Sequence, residues 1–338
     1  MTTLATNFNN TATLPVEAGI IESLTDRILG GIFGLLLGDA CGVPVEFSPR
    51  PERDRDPVVN MRGWGCHSQP PGYWSDDGAL TLAHIAAFLD SEGWDPESHI
   101  REFSEWYEKG KHSAGGFAFD IGESTSRAIL RHLSGSPWYA CGCRGVFDNG
   151  NGSLMRMLPV ALWLWQAPPE TRALILSEAS ALTHGHRRSE LACIWYGEFC
   201  VAMLAGADMH DAQNLARQNT APFHLEKEWQ HLGGLTRGRY FQKSRDEIKS
   251  TGYVLDCLEA ALWCLEQHDD FTDTILEAVN LGGDTDTTAA VCGGLAGMRC
   301  GYSGLPEAWL TVLPMQAYLH DLARDFAIQT VGKNLILT

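Results

Sequence analysis

Two short stretches of this 338-residue chain gather more oxygen ligands than a helix start needs. Near the carboxyl end, LGGDTDTTAAVCGGLAG places Asp284, Asp286 and the hydroxyls of Thr285, Thr287 and Thr288 between a glycine turn and an apolar run. Residues 72 to 90, GYWSDDGALTLAHIAAFLD, set Ser75, Asp76 and Asp77 directly before a second apolar run. Asp and Thr are favoured N-caps, so capping accounts for one carboxylate in each stretch. Adjacent carboxylates repel unless a cation or a proton separates them, and oxygen-only ligation suits Mg²⁺ or Mn²⁺ rather than Zn²⁺. The two clusters therefore predict a shared site for one or two divalent ions.

Other polar residues stand where local structure gives them little reason to be. Glu46 follows Pro44 in the glycine-rich turn GDACGVPVEF; by itself it reads as a surface carboxylate, and Asp39 in the same turn as a cap or loop support. Asp120 in FDIGEST reads alone as an N-cap, while Gly122 lets a backbone approach a ligand and helix-start N–H groups suit a diphosphate. The turn NGNGSLMR, Asn149 to Ser153 with Arg156 behind it, offers backbone donors and a hydroxyl ahead of an apolar helix. Arg156 reads equally as a phosphate partner or as structure. His184 in LTHGH reads as a general base, a ligand contact or, commonest for a single His, a core residue, and Tyr253 in TGYVLDCLEAALW reads as a core aromatic.

The elements that must hold these residues read as helices. VLDCLEAALWCL places Val254, Cys257, Leu258, Ala261, Leu262 and Leu265 on one apolar face. Residues 26–37, 79–89, 97–108, 123–133, 153–165, 171–182 and 287–298 carry similar patterns, and alternating β-branched runs are nearly absent. The expected fold is an all-α orthogonal helical bundle. The polar stretch 206–250 is expected to be a surface excursion. Since the motifs run from end to end and must converge on one site, residues 26–338 are expected to form a single domain, preceded by a polar, Thr/Asn-rich extension over residues 1–25.

With 44% hydrophobic residues the chain can bury a large core, and its net charge of −17 argues against a nucleic-acid or anionic-membrane partner. The ten cysteines include no Cys-x-x-Cys pair and are expected to be reduced core residues. The first residues lack the charged start and continuous apolar stretch of a signal peptide, which leads us to expect a cytoplasmic protein; LACIWYGEFCVAMLAG (191–206) carries Glu198 and is too short to span a membrane.

Read in order, GGIFGLLLGDACGVPVEF (30–47), WSDDGALTL, FDIGEST (119–125), NGNGSLMRMLP (149–159), LTHGH (182–186), TGYVLDCLEAALW (251–263) and GGDTDTTAA resemble the motifs of the ADP-ribosylglycohydrolase family, which includes the dinitrogenase reductase activating glycohydrolases. The chain departs where the family usually has Thr-Asp-Asp-Thr: Ser75 keeps the first hydroxyl and Gly78 loses the second. The resemblance implies the same all-α fold with the site at the centre of the bundle. It implies two divalent cations, Mg²⁺ or Mn²⁺, held by Ser75, Asp76, Asp77, Asp284, Asp286 and Thr287. It places Gly122, Asn151, Gly152, Ser153, Met155, His184 and Tyr253 at the ADP-ribose, and offers Glu46, Asp76 or Asp120 as the catalytic acid–base group without choosing among them. The implied activity is hydrolysis of the glycosidic bond between ADP-ribose and a protein side chain, arginine above others, so an ADP-ribosylated protein is the expected partner. An alternative of a different class is an immunity protein that neutralises a cognate ADP-ribosylating toxin through residues 1–25; the two functions are compatible.

Overall fold

The apolar periodicity is realised as helices. A computed structural model describes residues 18–332, and the regular structure among them is helical, with three isolated bridges and no longer strand. In chain order the helices are α1 (Ala18–Gly42), α2 (Arg50–Arg55), α3 (Asp76–Ser91), α4 (Pro96–Lys109), α5 (Glu123–Leu133), α6 (Leu158–Trp163), α7 (Pro169–Ala181), α8 (Arg187–Leu204), α9 (Met209–Asn219), α10 (Trp229–Leu232), α11 (Val254–Gln267), α12 (Phe271–Asn280), α13 (Thr285–Cys300), α14 (Glu307–Leu310) and α15 (Gln316–Gly332). The core helix is α1, with α13 along one side and α3, α6, α8, α12 and α15 around it.

What lets α1 into the centre is a glycine face. Gly30, Gly34, Gly38 and Gly42 recur every fourth residue and stack on one side of the helix. A Cβ at Gly34 would stand 2.3 Å from the Gly293 carbonyl oxygen, one at Gly38 2.0 Å from that of Ala289, and one at Gly42 2.4 Å from Asp286 Cα. Gly30 meets Gly297 at the far end, so α1 and α13 run antiparallel, backbone on backbone. Thr285 Oγ1 donates to the Gly42 carbonyl at 2.8 Å and pins the two helix ends that carry the acidic residues.

Several expectations need adjusting. Helix α1 reaches back to Ala18, and Leu24 is buried in the core, so residues 18–25 are helical; residues 1–17 lie outside the described residues. The stretch Gly19–Val45 is long and apolar enough to cross a membrane, yet 94% of its most apolar window is buried inside the fold, which makes it the core helix. Most of the apolar stretch 191–206 lies in the buried helix α8, and its Glu198 is held by Arg172 at 2.7 and 2.6 Å and by Asn219 at 2.7 Å. Residues 206–250 are more than a surface excursion. They form α9 and a series of short turns whose Ala212, Ala216, Trp229, Leu232, Leu235 and Tyr240 are buried. Only Leu158–Trp163 of the helix expected over 153–165 is helical, because the preceding turn folds around the buried guanidinium of Arg156. Helices α12 and α15 had no counterpart in the sequence reading.

The glycine face yields a sharp expectation for stability. Gly34→Val should lower it by about 3 kcal/mol in a urea melt, at the upper end of what overpacking costs. Gly234→Ala, where an added Cβ meets nothing within 4 Å, should stay within about 0.5 kcal/mol of the parent. Equal stability of Gly34→Val and the parent would show that the α1–α13 contact tolerates separation.

Candidate functional site

Helix starts bring the two acidic clusters together. Ser75 is the N-cap of α3, its hydroxyl accepting from the Asp77 amide at 3.3 Å, and Asp76 and Asp77 fill the first turn. Asp284 is the N-cap of α13, with Asp286 in its first turn. The clusters meet where Thr287 Oγ1 donates to Asp77 Oδ2 at 3.4 Å, across 210 positions of chain. Asp39 of α1 holds the second helix start in place: its carboxylate accepts from the Ser75 amide at 3.0 Å and the Gly78 amide at 2.8 Å. Asp39 is thus the support that its sequence context suggested.

Electrostatically the cluster is unbalanced. Ser75, Asp76, Asp77, Asp286 and Thr287 are all buried, and among the described residues no arginine or lysine forms an ion pair with the carboxylates. Burial, then the charges of neighbouring carboxylates, pushes Asp76, Asp77 and Asp286 well above the ordinary carboxylate range. Asp284 is also raised by burial, against an opposing hydrogen bond from Asn151 Nδ2 at 2.9 Å. Asp77 Oδ1, Asp284 Oδ1, Asp286 Oδ2 and Thr288 Oγ1 are buried without a hydrogen-bond partner. Orphaned buried oxygens are costly, and a hard divalent cation supplies what they lack. The donor set suits such an ion in kind, with Ser75, Asp76, Asp77, Asp284, Asp286 and Thr287 the residues that would hold it; of these, the structure already brings Asp286 to within 4.8 Å of further ligand atoms, those of Glu46, His67 and Asp120.

Above the cluster stands a group the sequence reading missed. One donor atom from each of Glu46, His67, Asp120 and Asp286 lies within 4.8 Å of the others. His67 Nε2 makes a short hydrogen bond to Glu46 Oε2 and lies 3.8 Å from Asp120 Oδ1. The bond to Glu46 chiefly raises the imidazole above its usual range. Burial pushes the Glu46 carboxyl up to about 8 against the opposing pull of His67. Asp120 is no N-cap: it holds a φ of +54°, and Gly122 takes the cap position of α5. His67 shares no spacing with the acidic motifs, and only its setting in a glycine-broken loop between Glu46 and Asp76 could have drawn attention.

The glycine turn 149–153 walls the other side. Asn151 N donates to the Gly252 carbonyl at 3.0 Å and Val254 N to that of Asn149 at 3.0 Å, which joins the turn to the start of α11. A Cβ at Gly152 would lie 2.9 Å from the His184 ring and 3.1 Å from Thr125 Oγ1, a buried hydroxyl with no partner. Arg156 donates to Thr183 Oγ1 at 2.7 Å, whose hydroxyl stands 2.8 Å from His184 Nδ1. This relay leaves His184 Nε2 as the N–H that faces the turn. Burial drives His184 down to about 3, so it is a neutral donor. Arg156 also donates to His84 at 2.6 Å and lies over the Phe103 ring, so it is structure. Ser153 and Met155 sit beneath the turn: Ser153 Oγ, fully buried, accepts from Ser180 at 3.0 Å, and Met155 is 3% exposed. Beyond Gly150 opens a cleft of about 440 Å³ lined by Val146, Phe147, Arg188 and Tyr253. Phe147 is 98% exposed at its rim, and Arg188 donates to the Tyr253 hydroxyl at 3.2 Å. A larger cavity of about 740 Å³ lies around Arg27 and Arg299, at the opposite end of the α1–α13 pair.

Known proteins share this chain's sequence pattern and fold. The sequence model of the ADP-ribosylglycohydrolase family matches residues 21–335. The chain is 33% identical over 305 residues to an ADP-ribosylarginine hydrolase Tri1 of Serratia proteamaculans, spanning 90% of this chain and 79% of that one. It is 30% identical over 300 residues to the ADP-ribosyl-[dinitrogen reductase] glycohydrolase of Rhodospirillum rubrum, spanning 87% and 92%. A solved structure titled ADP-ribosylglycohydrolase-related protein complex superposes with a TM-score of 0.78 at 30% identity, covering 91% of this chain and 99% of that one.

The crowded carboxyls set a stability profile. Glu46 titrates near 8 when folded and near 4.5 when unfolded, so the folded chain holds the extra proton between those values. Stability of metal-stripped protein should therefore fall as pH rises from about 5 to about 8. Mg²⁺ should raise the melting temperature at pH 8 in the parent and leave Asp286→Asn unmoved. A melting temperature that is flat across this range and indifferent to Mg²⁺ in the parent would contradict the donor set.

Proposed function

As the chain belongs to the ADP-ribosylglycohydrolase family, we propose that it is a divalent-metal-dependent hydrolase that removes ADP-ribose from modified arginine side chains of proteins. The hydrolase class follows from the family; the linkage, the ions and the residue roles are our reading. One observation carries it: Asp77 and Thr287 meet across the fold amid carboxylate oxygens that have no other partner. When bound, Mg²⁺ or Mn²⁺ would neutralise that crowd, fix ribose hydroxyls and polarise a water near the anomeric carbon.

The protein's own groups divide the remaining work. Asn151 fixes the Asp284 carboxylate through its amide. His184 presents a neutral N–H to the turn 150–152, where a diphosphate would lie against backbone donors and keep its charge. Phe147 and Tyr253 offer aromatic faces to the adenine. Of the three carboxylates left open by the sequence, Glu46 suits the proton transfers. Asp76 belongs to the oxygens assigned to the ions, and Asp120 is the more exposed member of the His67 group, at 20% against 5% for Glu46. With its carboxyl held up at about 8, Glu46 carries a proton near neutral pH. It can pass that proton to the guanidino nitrogen as the bond to the sugar carbon breaks, and take one back from the water that adds there. ADP-ribose and the unmodified arginine side chain result, with one water consumed.

The test uses an arginine-ADP-ribosylated protein and follows release of ADP-ribose. Chelation should abolish release and Mg²⁺ or Mn²⁺ should restore it. Glu46→Gln should lose at least ~100-fold in kcat, about 2.7 kcal/mol, while retaining affinity for ADP-ribose. Full activity in protein shown by elemental analysis to be metal-free would refute the metal role.

The toxin-immunity reading rests on the residues ahead of α1, which are polar and Thr/Asn-rich. Deleting residues 1–17 should leave hydrolysis of ADP-ribosyl-arginine intact and weaken stoichiometric inhibition of an ADP-ribosylating toxin. Equal inhibition by truncated and full-length protein would rule that reading out.

A further inference from the structure

A second ligand set of different character borders the oxygen cluster. One donor atom from each of Glu46, Cys66 and His67 lies within 4.8 Å of the other two. Cys66 and His67 belong to the short turn Gly65–His67, pressed onto the Val43–Val45 turn ahead of Glu46. A Cβ at Gly65, where φ is +52°, would stand 1.7 Å from the Pro44 carbonyl oxygen, so only glycine permits the approach. Trp64 and Ser68 flank the turn at φ of 73° and 55°, and Trp64 N donates to the Gln69 carbonyl at 2.5 Å. Left-handed backbone at two non-glycine residues is strain that the surroundings must hold. Its result is to carry a thiol and an imidazole to the catalytic carboxylate.

The thiol is reachable. Among the ten cysteines Cys66 is the exposed one; eight are buried and Cys300 is partly covered. Its Sγ is held by a hydrogen bond to the Val43 carbonyl at 3.2 Å. The His67 ring is braced between Phe47 and Phe119, with centroids 6.1 and 5.5 Å away. A thiolate, an imidazole and a carboxylate are the donors that Zn²⁺ accepts, and three of them leave a fourth tetrahedral position for water. Mg²⁺ and Mn²⁺ prefer the all-oxygen cluster below.

We propose that Glu46, Cys66 and His67 form a binding site for Zn²⁺ or a similarly soft divalent ion at the mouth of the active site, and that filling it inhibits the enzyme by withdrawing Glu46. The ion replaces the hydrogen bond between His67 and Glu46 and displaces the thiol proton to solvent. Selectivity comes from sulfur: hard ions occupy the cluster beneath and support hydrolysis, while a soft ion captures the acid–base group above it. The inhibitory half rests on the hydrolase reading, and the ligand set does not.

Two measurements on the full-length chain separate these halves. In the presence of saturating Mg²⁺, added Zn²⁺ should suppress release of ADP-ribose. Cys66→Ser should need at least about tenfold more Zn²⁺ for the same suppression, with unchanged turnover in Zn²⁺-free buffer. Independently of any substrate, titration with Co²⁺ should produce a thiolate-to-cobalt charge-transfer band in the near ultraviolet, present in the parent and missing from Cys66→Ser. No band in the parent, or the same band in Cys66→Ser, overturns the site. A Cys66-dependent band with no Zn²⁺ inhibition of an active enzyme overturns the inhibitory half. If the parent releases no ADP-ribose under any metal, the hydrolase reading fails and the cobalt band alone decides the site.

Discussion

Backbone contact between α1 and α13 is the constraint from which the site follows. Glycines at every fourth position remove the side chains that would hold two helices 8–10 Å apart, and the antiparallel approach seats the end of α1 against Asp286. Both acidic clusters depend on that seating. Asp39, on α1, accepts from the Ser75 and Gly78 amides and so positions Asp76 and Asp77, while the Gly42 carbonyl receives Thr285 and positions Asp284 and Asp286. One rigid element therefore indexes both halves of the oxygen cluster, and Glu46 leaves the same element a few residues later.

Helix direction explains why so many carboxylates tolerate burial together. The clusters occupy the first turns of α3 and α13, where the partial positive charge of each helix favours an anion. Two converging helix starts offset only part of the repulsion, as the raised protonation range of Asp77 and Asp286 and their unpartnered oxygens attest. The neutral donors lie elsewhere. Asn151, His184 and the glycine turn carry no charge and form the wall beside the cleft of Phe147 and Tyr253. The site is thereby divided into a charged floor and a polar, aromatic wall.

Much of this was legible in the residues. Carboxylates paired ahead of apolar runs identified the floor, and three- and four-residue spacing identified most helices, because burial writes its period directly into the chain. What escaped notice has physical causes. His67 and Cys66 reach Glu46 through a strained turn, which leaves no periodic trace. The stretch 206–250 looked like surface because its core contacts, such as Trp229, Leu232 and Tyr240, are spread through a polar background rather than repeated. Ser153 and Met155 sit in a motif of which Gly150 lines the cleft, and residue type could not tell which side of the turn each side chain takes. Arg156 was ambiguous for the same reason, and its place beneath the turn, holding the relay to His184, is tertiary information.

The hydrogen bond from Thr287 to Asp77 spans 210 positions of chain, and this fixes when the protein becomes competent during synthesis. Everything that helices α1 to α12 can bury is made before residue 284 leaves the ribosome, but half of the oxygen floor is still missing. A nascent chain, or one cut short by a premature stop before α13, lacks Asp284 and Asp286 and the partner of the glycine face, so it can neither assemble the floor nor shield the apolar flank of α1. Closure of the floor thus waits on the synthesis of α13, and translation products that stop short of it are left with an uncovered apolar flank.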